Sequence, residues 1–569
     1  MEGIIWIVVR RIRAPLILLI VTYSISIAGL VLIPGMDENG EPTRLDFLHA
    51  FYFVSYMGST IGFGEIPHPF TPAQRLWVTL CIFLTVIAWL YAIGRIISLI
   101  QEPRFRSAIA EAGFVRAVRK ITEPFWVICG YGETGTLLVR ALHRRGIQCV
   151  VMDPEESAIN QLRLEPYGAS TPALCGSATD TLQLLEAGMR RRLCYGVIAM
   201  TDDNDDNIRI SVTAKLIRPE LTVIARAGTR EAADNLASFD TDHVIHPYTV
   251  FSEHLAMVQQ RPSLHLLHAA LISPPNRPIE GPTPPPQGRW IVCGYGRFGR
   301  AATVALEDCG NEVTVIERNP DKAPPGAIVG LGTESGPLCE AGVRDAVGIV
   351  CGTDSDPNTL SAVLTARALN PDIYVIARQD RRADSTIYGA AKIDLIMEVS
   401  RLTVWRVLPL IKAPLLARFL EYMRTIDEHR AQSLMGRLRA LTDDVTPETW
   451  TISLDATSAP ALLAALRDGE TVTLGTLLRN PSDRNTNLHC MPLMLHRAEE
   501  DFLQPQRDLA LQPGDAILLA ARPGTRRCVE RALYDAKELA YLLHGVDHPD
   551  GWLWRWWSQR RARKAGGEG

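Results

Sequence analysis

The residue groupings that would mark a zinc protein or a common enzyme are missing from this chain. Its eleven cysteines include no CxxC pair and no His/Cys cluster at zinc spacing, which excludes a sequence-local zinc site. Cys129 and Cys293 lie inside apolar, strand-like runs and read as reduced, buried thiols. Basic charge is not in excess. The formal net charge is −4, which leaves nucleic acid without an electrostatic footprint. No His, Lys or Ser constellation suited to hydride chemistry stands out, and the chain is expected not to be an enzyme. Long apolar runs are scarce as well: only two reach membrane length, residues 14–33 and 76–94. A chain of 569 residues exceeds one hydrophobic core, so several domains are expected.

What is present begins with those two runs. Residues 14–33 carry no charge, and at the helical rise they cover about 30 Å, one hydrocarbon thickness. The length of the run and the lack of a small-residue cleavage site argue against a signal peptide. Arg10, Arg11 and Arg13 precede the first run, and Arg95, Arg104, Arg106, Arg116, Arg119 and Lys120 follow the second. The connector carries Asp37, Glu38, Glu41 and Asp46 instead. The positive-inside bias therefore places both termini in the cytoplasm of a two-span protein of the cell membrane. Residues 1–13 read as a segment lying along the inner membrane surface.

The connector holds a helix too short to span. Thr43 and Asp46 form a capping-box start just after Pro42, and residues 47–57 are rich in aromatic and small residues. Such a segment suits a re-entrant helix buried among protein, its C-terminal end presenting partial negative charge to a cation. Thr60-Ile61-Gly62-Phe63-Gly64-Glu65 follows. Alternating glycines let a backbone aim its carbonyls inward, and a ring of such carbonyls can replace the hydration shell of an ion. Span, short helix, TxGxG and span, in this order, resemble a two-span potassium channel. The resemblance implies a selectivity filter at Thr60, Ile61, Gly62, Phe63 and Gly64, K+ as the permeant ion, and four copies around the pore. Ile61, Phe63 and Glu65 stand where the family usually has Val, Tyr and Asp. Phe63 thereby lacks a hydroxyl that ties the filter to the helix behind it, and selectivity relaxed toward other monovalent cations is an alternative reading. The family's mid-helix glycine is missing from the second run, whose first glycine is Gly94. Ile93, Ile96 and Ile97 are candidates for a hydrophobic constriction.

The remainder contains an internal repeat. Val127-Ile128-Cys129-Gly130-Tyr131-Gly132-Glu133-Thr134-Gly135 recurs as Ile291-Val292-Cys293-Gly294-Tyr295-Gly296-Arg297-Phe298-Gly299. Asp153 recurs as Glu317, Glu186-Ala187-Gly188 as Glu340-Ala341-Gly342, and Val223-Ile224-Ala225-Arg226 as Val375-Ile376-Ala377-Arg378. Each copy opens with a strand-like run, then GxGxxG, a helix pattern and a second strand ending in an acid. In the first copy these are residues 126–129, 134–145 and 149–153. This is the beginning of a dinucleotide-binding Rossmann unit. The glycines allow the tight turn, the approach of a pyrophosphate and the packing of helix on strand, and the helix N-terminus faces the phosphates. Asp153 suits ribose hydroxyls and would repel a 2′-phosphate, which favours NAD or an adenine nucleotide over NADP. Glu317 is placed likewise, with Arg318 beside it. A Rossmann fold that keeps its glycines only for packing is the bland alternative.

The pair of copies resembles RCK domains, also called TrkA-N domains, over nearly everything after about residue 123. The family carries further nucleotide contacts at positions matching Thr201, Asp202 and Arg226 in the first copy, and Thr353, Asp354 and Arg378 in the second. The acidic loop Asp202-Asp203-Asn204-Asp205-Asp206 is a candidate for calcium as well as for capping the next helix. Its spacing is not that of an EF-hand, and capping is the favoured reading. Residues 273–288 are proline-rich and read as a semi-rigid spacer. Helix-like runs follow near 400–440. In residues 488–495, Met491, Leu493 and Leu495 share a face if the backbone is extended, and Pro492 would confine that strand to a sheet edge. Residues 511–519 look like the closing hairpin of a TrkA-C lobe. The tail, with Trp552, Trp554, Trp556 and Trp557 beside Arg560, Arg561, Arg563 and Lys564, suits a membrane surface or a partner groove.

The expected architecture is an α-helical two-span pore domain plus two tandem α/β Rossmann-like domains and a small α+β C-terminal lobe. The boundaries are 1–100 (pore), 101–122 (linker), 123–272 (first copy), 273–288 (spacer), 289–440 (second copy with helices), 441–545 (lobe and helix) and 546–569 (tail). The expected function is a homotetrameric, ligand-gated potassium channel in a lipid membrane, with no nucleic acid and no obligatory other protein as partner. A membrane-anchored NAD-dependent oxidoreductase is the alternative from another class. It leaves the glycine strand, the short helix and the duplication unexplained.

Overall fold

The computed structural model describes residues 2–36, 41–62, 69–353, 355–412 and 414–545. Phe63, Gly64, Glu65, Asp354 and the Trp/Arg tail lie outside the described residues. The chain forms two compact units. One comprises Met1–Glu123 with Pro172–Gly176 and Leu182–Gly188, and the other comprises Pro124–Thr171, Ser177–Thr181 and the chain from Met189 onward.

In the first unit, helix Glu2–Leu32 lies against helix Pro72–Gln101. The stretches Ile12–Leu32 and Pro72–Ser98 are long and apolar enough to cross a membrane. Their outer faces expose Leu16, Ile20 and Ile25 on one helix and Leu76, Phe83 and Ile87 on the other, as lipid-facing surfaces do. Gly29 lets the Trp77 ring approach, since a Cβ there would lie 2.1 Å from it, and the Trp77 indole N–H donates to the Ser26 carbonyl at 3.2 Å. The first helix is unbroken from Glu2, so residues 2–13 form no separate surface segment; Pro15 is accommodated within it. The second helix stops at Gln101 because Pro103 holds Glu102 extended (ψ 125°), and Pro103–Lys120 starts afresh with proline at its first turn.

The connector helix is Phe47–Gly58. Its N-cap is Asp46, whose carboxylate accepts the His49 amide at 3.0 Å. The capping box expected at Thr43 does not form. Thr43 is instead extended in the two-residue strand Pro42–Thr43, paired with Gly35–Met36, and so cannot begin a helix. Ala50, Phe53, Val54 and Tyr56 turn into a core with Ile27, Leu30 and Leu45.

The second unit holds two parallel sheets of one topology. In the second copy six strands run in the order Ile328–Val329, Glu312–Glu317, Arg289–Cys293, Gly348–Cys351, Tyr374–Gln379, Leu395–Glu398. In the first copy, Gln148–Asp153, Phe125–Cys129, Cys194–Ala199, Thr222–Arg226 and His243–Ile245 follow the same order. Central strands are buried on both faces, which is why they read as unbroken apolar runs. A tryptophan–glycine pair recurs across the centre of each sheet. A Cβ at Gly196 would lie 2.3 Å from the Trp126 ring, and one at Gly348 would lie 2.4 Å from Trp290. The two copies exchange helices: Pro247–Gln260 of the first packs on Arg297–Asp308 of the second, and Val399–Lys412 of the second packs on Glu133–His143 of the first.

The proline-rich spacer contains no helix. Its residues 276–279 are tied to 444–446, with Asn276 N–H donating to the Thr446 carbonyl at 3.0 Å and Thr446 N–H to the Arg277 carbonyl at 2.7 Å. The C-terminal lobe is a four-stranded sheet ordered Glu448–Ser453, Ala516–Ala521, Cys490–Arg497, Glu500–Leu503. The strand bearing Pro492 is therefore internal, contrary to the expected edge. Its neighbour Glu500–Leu503 pairs only with residues 494–497, and a bulge between Pro492 and Met494 absorbs the missing N–H. The bulge also shifts the side-chain phase, so Cys490 and Leu495, five apart, enter one core and the simple alternation of Met491, Leu493 and Leu495 does not hold. Arg497 grips buried Asp515 with two bonds of 2.7 Å beneath the closing turn.

Candidate functional site

Both glycine loops join a first strand to a helix at the C-terminal edge of the sheet. Gly130 sits at φ +103°, where a Cβ would lie 2.9 Å from the Met200 carbonyl group, and a Cβ at Gly135 would lie 2.1 Å from the Gly130 oxygen. The second loop repeats this, with Gly294 at φ +91° and a Gly299 Cβ position 1.8 Å from the Gly294 oxygen. Only glycine fits these four places. Gly132 and Gly296 cap helices Glu133–His143 and Arg297–Asp308, whose first amides point across the loop. A Cβ on Gly132 would meet nothing within 4 Å, the room that a closely approaching phosphate group requires.

Asp153 and Glu317 close the loops. Both are buried. Asp153 accepts the Tyr131 amide at 2.6 Å and the Glu155 amide at 2.8 Å, one on each oxygen. Glu317 accepts the Tyr295 amide at 2.5 Å and the Asn319 amide at 2.9 Å in the same way. Each carboxylate oxygen has capacity for a further donor, so ribose hydroxyls can add to these bonds. Burial, then the Tyr167 hydroxyl 3.3 Å away, push the Tyr131 phenol upward and keep it neutral.

The fourth-strand residues stand beside the loops and differ between copies. The Thr201 hydroxyl lies 2.9 Å from both the Asp203 carbonyl and Asn207 Oδ1, which share its one proton. Arg226 donates to the Thr201 carbonyl at 3.3 Å and forms an ion pair with Asp202. Asn207, fully buried, links Thr201 to the Arg226 carbonyl at 3.0 Å and was not singled out by sequence reasoning. Its counterpart at the repeat offset is Thr359, 2.9 Å from the Thr353 hydroxyl. Arg378 pairs with Asp380 at 2.8 Å and lies over the Phe298 ring at 5.8 Å. Asp203 caps helix Asn204–Ile217 by accepting the Asp205 and Asp206 amides. The acidic loop therefore performs capping, and no carboxylate cluster suited to a metal occurs among the described residues.

Each loop's helix N-terminus touches the other copy. Thr134 bonds Ser400 at 3.0 Å, while Arg297 bonds the Gly228 carbonyl at 3.4 Å and lies over Tyr248 at 5.3 Å. Phe298 is buried against Phe251, with ring centroids 4.4 Å apart. One loop thus begins its helix with an anion, Glu133, and the other with a cation, Arg297. Beside the first, burial raises the Glu398 carboxyl against the opposing pull of Arg401 and Arg382. These cross-copy partners carry no local sequence signal, because they depend on the helix exchange.

In the first unit, the end of the short helix carries the start of the glycine strand. The Tyr56 carbonyl accepts the Ile61 amide at 3.1 Å and the Gly62 amide at 3.3 Å. Thr60 and Gly62 are both left-handed, at φ +61° and +64°. That conformation is easy for Gly62 and strained for a β-branched threonine.

Comparison with known proteins gives two family matches. The ion channel family model matches residues 16–102, and the TrkA-N domain model matches twice, over 126–247 and 290–398. Potassium channel protein 1 of Methanocaldococcus jannaschii is 27% identical over 220 residues, covering 38% of this chain and 64% of that one. Probable potassium channel protein 2 of the same organism is 24% identical, covering 39% and 63%. The chain thus spans less than two thirds of the length of either relative. Among solved structures, the GsuK channel bound to NAD aligns over 93% of this chain and 99% of that one, at 16% identity and a TM-score of 0.43.

Proposed function

We propose that this chain, an ion-channel domain joined to two TrkA-N domains, is one subunit of a tetrameric potassium channel gated by NAD or an adenine nucleotide. The observation that carries the reading is the placement of segment 60–62, with which the glycine motif begins. It follows a helix of only twelve residues, Phe47–Gly58, and lies between two helices long enough to cross a bilayer. Irregular backbone at that depth survives only where it is enclosed by protein or lines an aqueous path. One chain offers one such strand, so four around an axis are needed to surround an ion. The basic residues flanking the two spans support cytoplasmic termini.

The nucleotide half of the proposal rests on the glycine loops. Backbone amides at the starts of the two helices receive the phosphates, Asp153 or Glu317 receives the ribose, and Arg226 exchanges Asp202 for a phosphate oxygen. The ligand acts by binding one arrangement of the TrkA-N copies more tightly than another, which residues 101–122 transmit to the pore.

Potassium flux from liposomes holding the purified full chain tests this, with and without NAD, NADH, ADP and ATP. The expected result is K+ flux that one of these nucleotides raises or lowers. A monomeric protein, or no K+ flux under any nucleotide, overturns it. Turnover of NADH by the same preparation would favour the oxidoreductase. The same vesicles under sodium distinguish a strict K+ pore from the less selective channel suggested by Phe63 and Glu65.

A further inference from the structure

Tyr23 sits on the first spanning helix and Trp89 on the second, 66 positions apart in sequence. The Trp89 indole N–H donates to the Tyr23 hydroxyl at 2.9 Å. That hydroxyl lies against the main chain of Gly58, the last residue of the short helix, and a Cβ built on Gly58 would meet it at 2.6 Å. Two positions earlier in the same helix end, the Tyr56 carbonyl holds the amides of Ile61 and Gly62. A continuous chain of contacts therefore runs from Trp89 through Tyr23 and the helix end to the first residues of the glycine strand. We infer that Tyr23 is a positioning residue for ion selection, clamped by Trp89 and pressing on the helix end from which the filter starts. The inference rests on the channel reading above.

Two observations separate this from two polar atoms merely satisfying each other. The contact falls on backbone at a glycine, so the hydroxyl meets the helix end directly, with no flexible side chain between. The helix end it meets is bonded to the filter strand. A filter chooses between K+ and Na+ by the placement of its carbonyls, and a looser support blurs that placement.

Reversal potentials of the full chain in planar bilayers give the test, through the K+ to Na+ permeability ratio. Tyr23→Phe removes only the hydroxyl, and Trp89→Phe removes the indole N–H together with part of the ring. Each is expected to lower the ratio about fivefold, the factor commanded by one net hydrogen bond. Because both act through one contact, the double variant is expected to fall no lower than the worse single variant. Tyr23→Phe channels that conduct with the wild-type ratio overturn the inference, as does a double variant whose loss is the product of the two single losses. A drop in the yield of assembled channel with the ratio unchanged likewise assigns these residues to packing and overturns it. If Tyr23→Phe fails to assemble, the Trp89→Phe ratio decides alone. A wild-type protein that passes no K+ defeats the channel reading and this inference together, whereas an unchanged ratio in a conducting variant defeats this inference only.

Discussion

Single atoms decide whether the loops can exist at all. A methyl at Gly135 would overlap the Gly130 oxygen at 2.1 Å, and one at Gly299 would overlap the Gly294 oxygen at 1.8 Å. Neither neighbour can yield, because both are backbone. Gly135→Ala and Gly299→Ala are each expected to destabilise the protein by roughly 1–3 kcal/mol and to abolish nucleotide binding in their own copy. Thermal unfolding and titration calorimetry with NAD and ADP check both effects. Asp153→Asn is subtler. It keeps the shape but loses the charge and the acceptor on one side, at a position where the carboxylate already serves the Tyr131 and Glu155 amides. Bonds to a charged acceptor contribute about 1.5–3 kcal/mol, so nucleotide affinity in the first copy should fall at least tenfold, read by the same calorimetry.

At the scale of elements, three buried histidines meet where the exchanged helices pack. His254 lies on Pro247–Gln260, His265 and His268 lie on Pro262–Ile272, and Trp405 of Val399–Lys412 packs among them, its ring centroid 3.8 Å from that of His268 and 5.0 Å, edge-on, from that of His254. The Nδ1 atoms of His254 and His268 are buried without a hydrogen-bond partner. Burial, then the neighbouring His265, holds His254 down at about 3, and burial holds His265 at about 4. His268 is held well below its ordinary value by burial, then by His254, His265, Arg406 and Arg424. The charges around them are mostly positive, Arg401 facing His254 and Arg424 already paired with Glu253 at 2.7 Å. The unfolded chain takes up protons near pH 6.5, while the folded chain does so only near 3 to 4. Stability from these groups is therefore complete above about pH 6.5 and is lost as pH falls toward 4. The slope approaches about 1.4 kcal/mol per pH unit for each histidine. Unfolding midpoints from pH 8 to pH 5 should fall accordingly, and His254→Phe should flatten the fall.

Much at this scale was legible beforehand. Parallel strands buried on both faces leave unbroken apolar runs, and the glycine loops mark where helices start, so residues 126–129 and 149–153 lay within a residue of the strands that form. Failures came where a second element decides the outcome. Thr43 looked like a cap until its pairing with Gly35 claimed it. Pro492 looked like an edge residue, yet its neighbouring strand simply stops short of it. The histidines escaped notice because their partner, Trp405, is some 140 positions away in sequence (405 − 265 = 140) and reaches them only through the helix exchange.

For the whole molecule, the proposed function assigns conduction to one unit and regulation to the other. Gly62, at φ +64°, has no neighbour within 4 Å of its Cβ position, so the cost of Gly62→Ala is confined to backbone conformation. Gly62→Ala and Gly64→Ala should abolish K+ flux while leaving the assembled tetramer and nucleotide binding intact. Normal flux in either variant would remove the filter from this segment. Regulation makes the complementary demand. The first loop's helix bonds Ser400 of the second copy, and the second loop's helix bonds Gly228 of the first, so occupancy of either loop bears on the contact that frames the other. Asp153→Asn and Glu317→Gln should therefore each change the nucleotide response of K+ flux, and together by an amount different from the product of their separate effects. By linkage, a nucleotide that shifts the open-to-closed ratio tenfold must bind one state tenfold more tightly, so the single variants should weaken binding and gating in step. A variant that binds as poorly as expected yet gates normally would show that its loop does not speak to the pore.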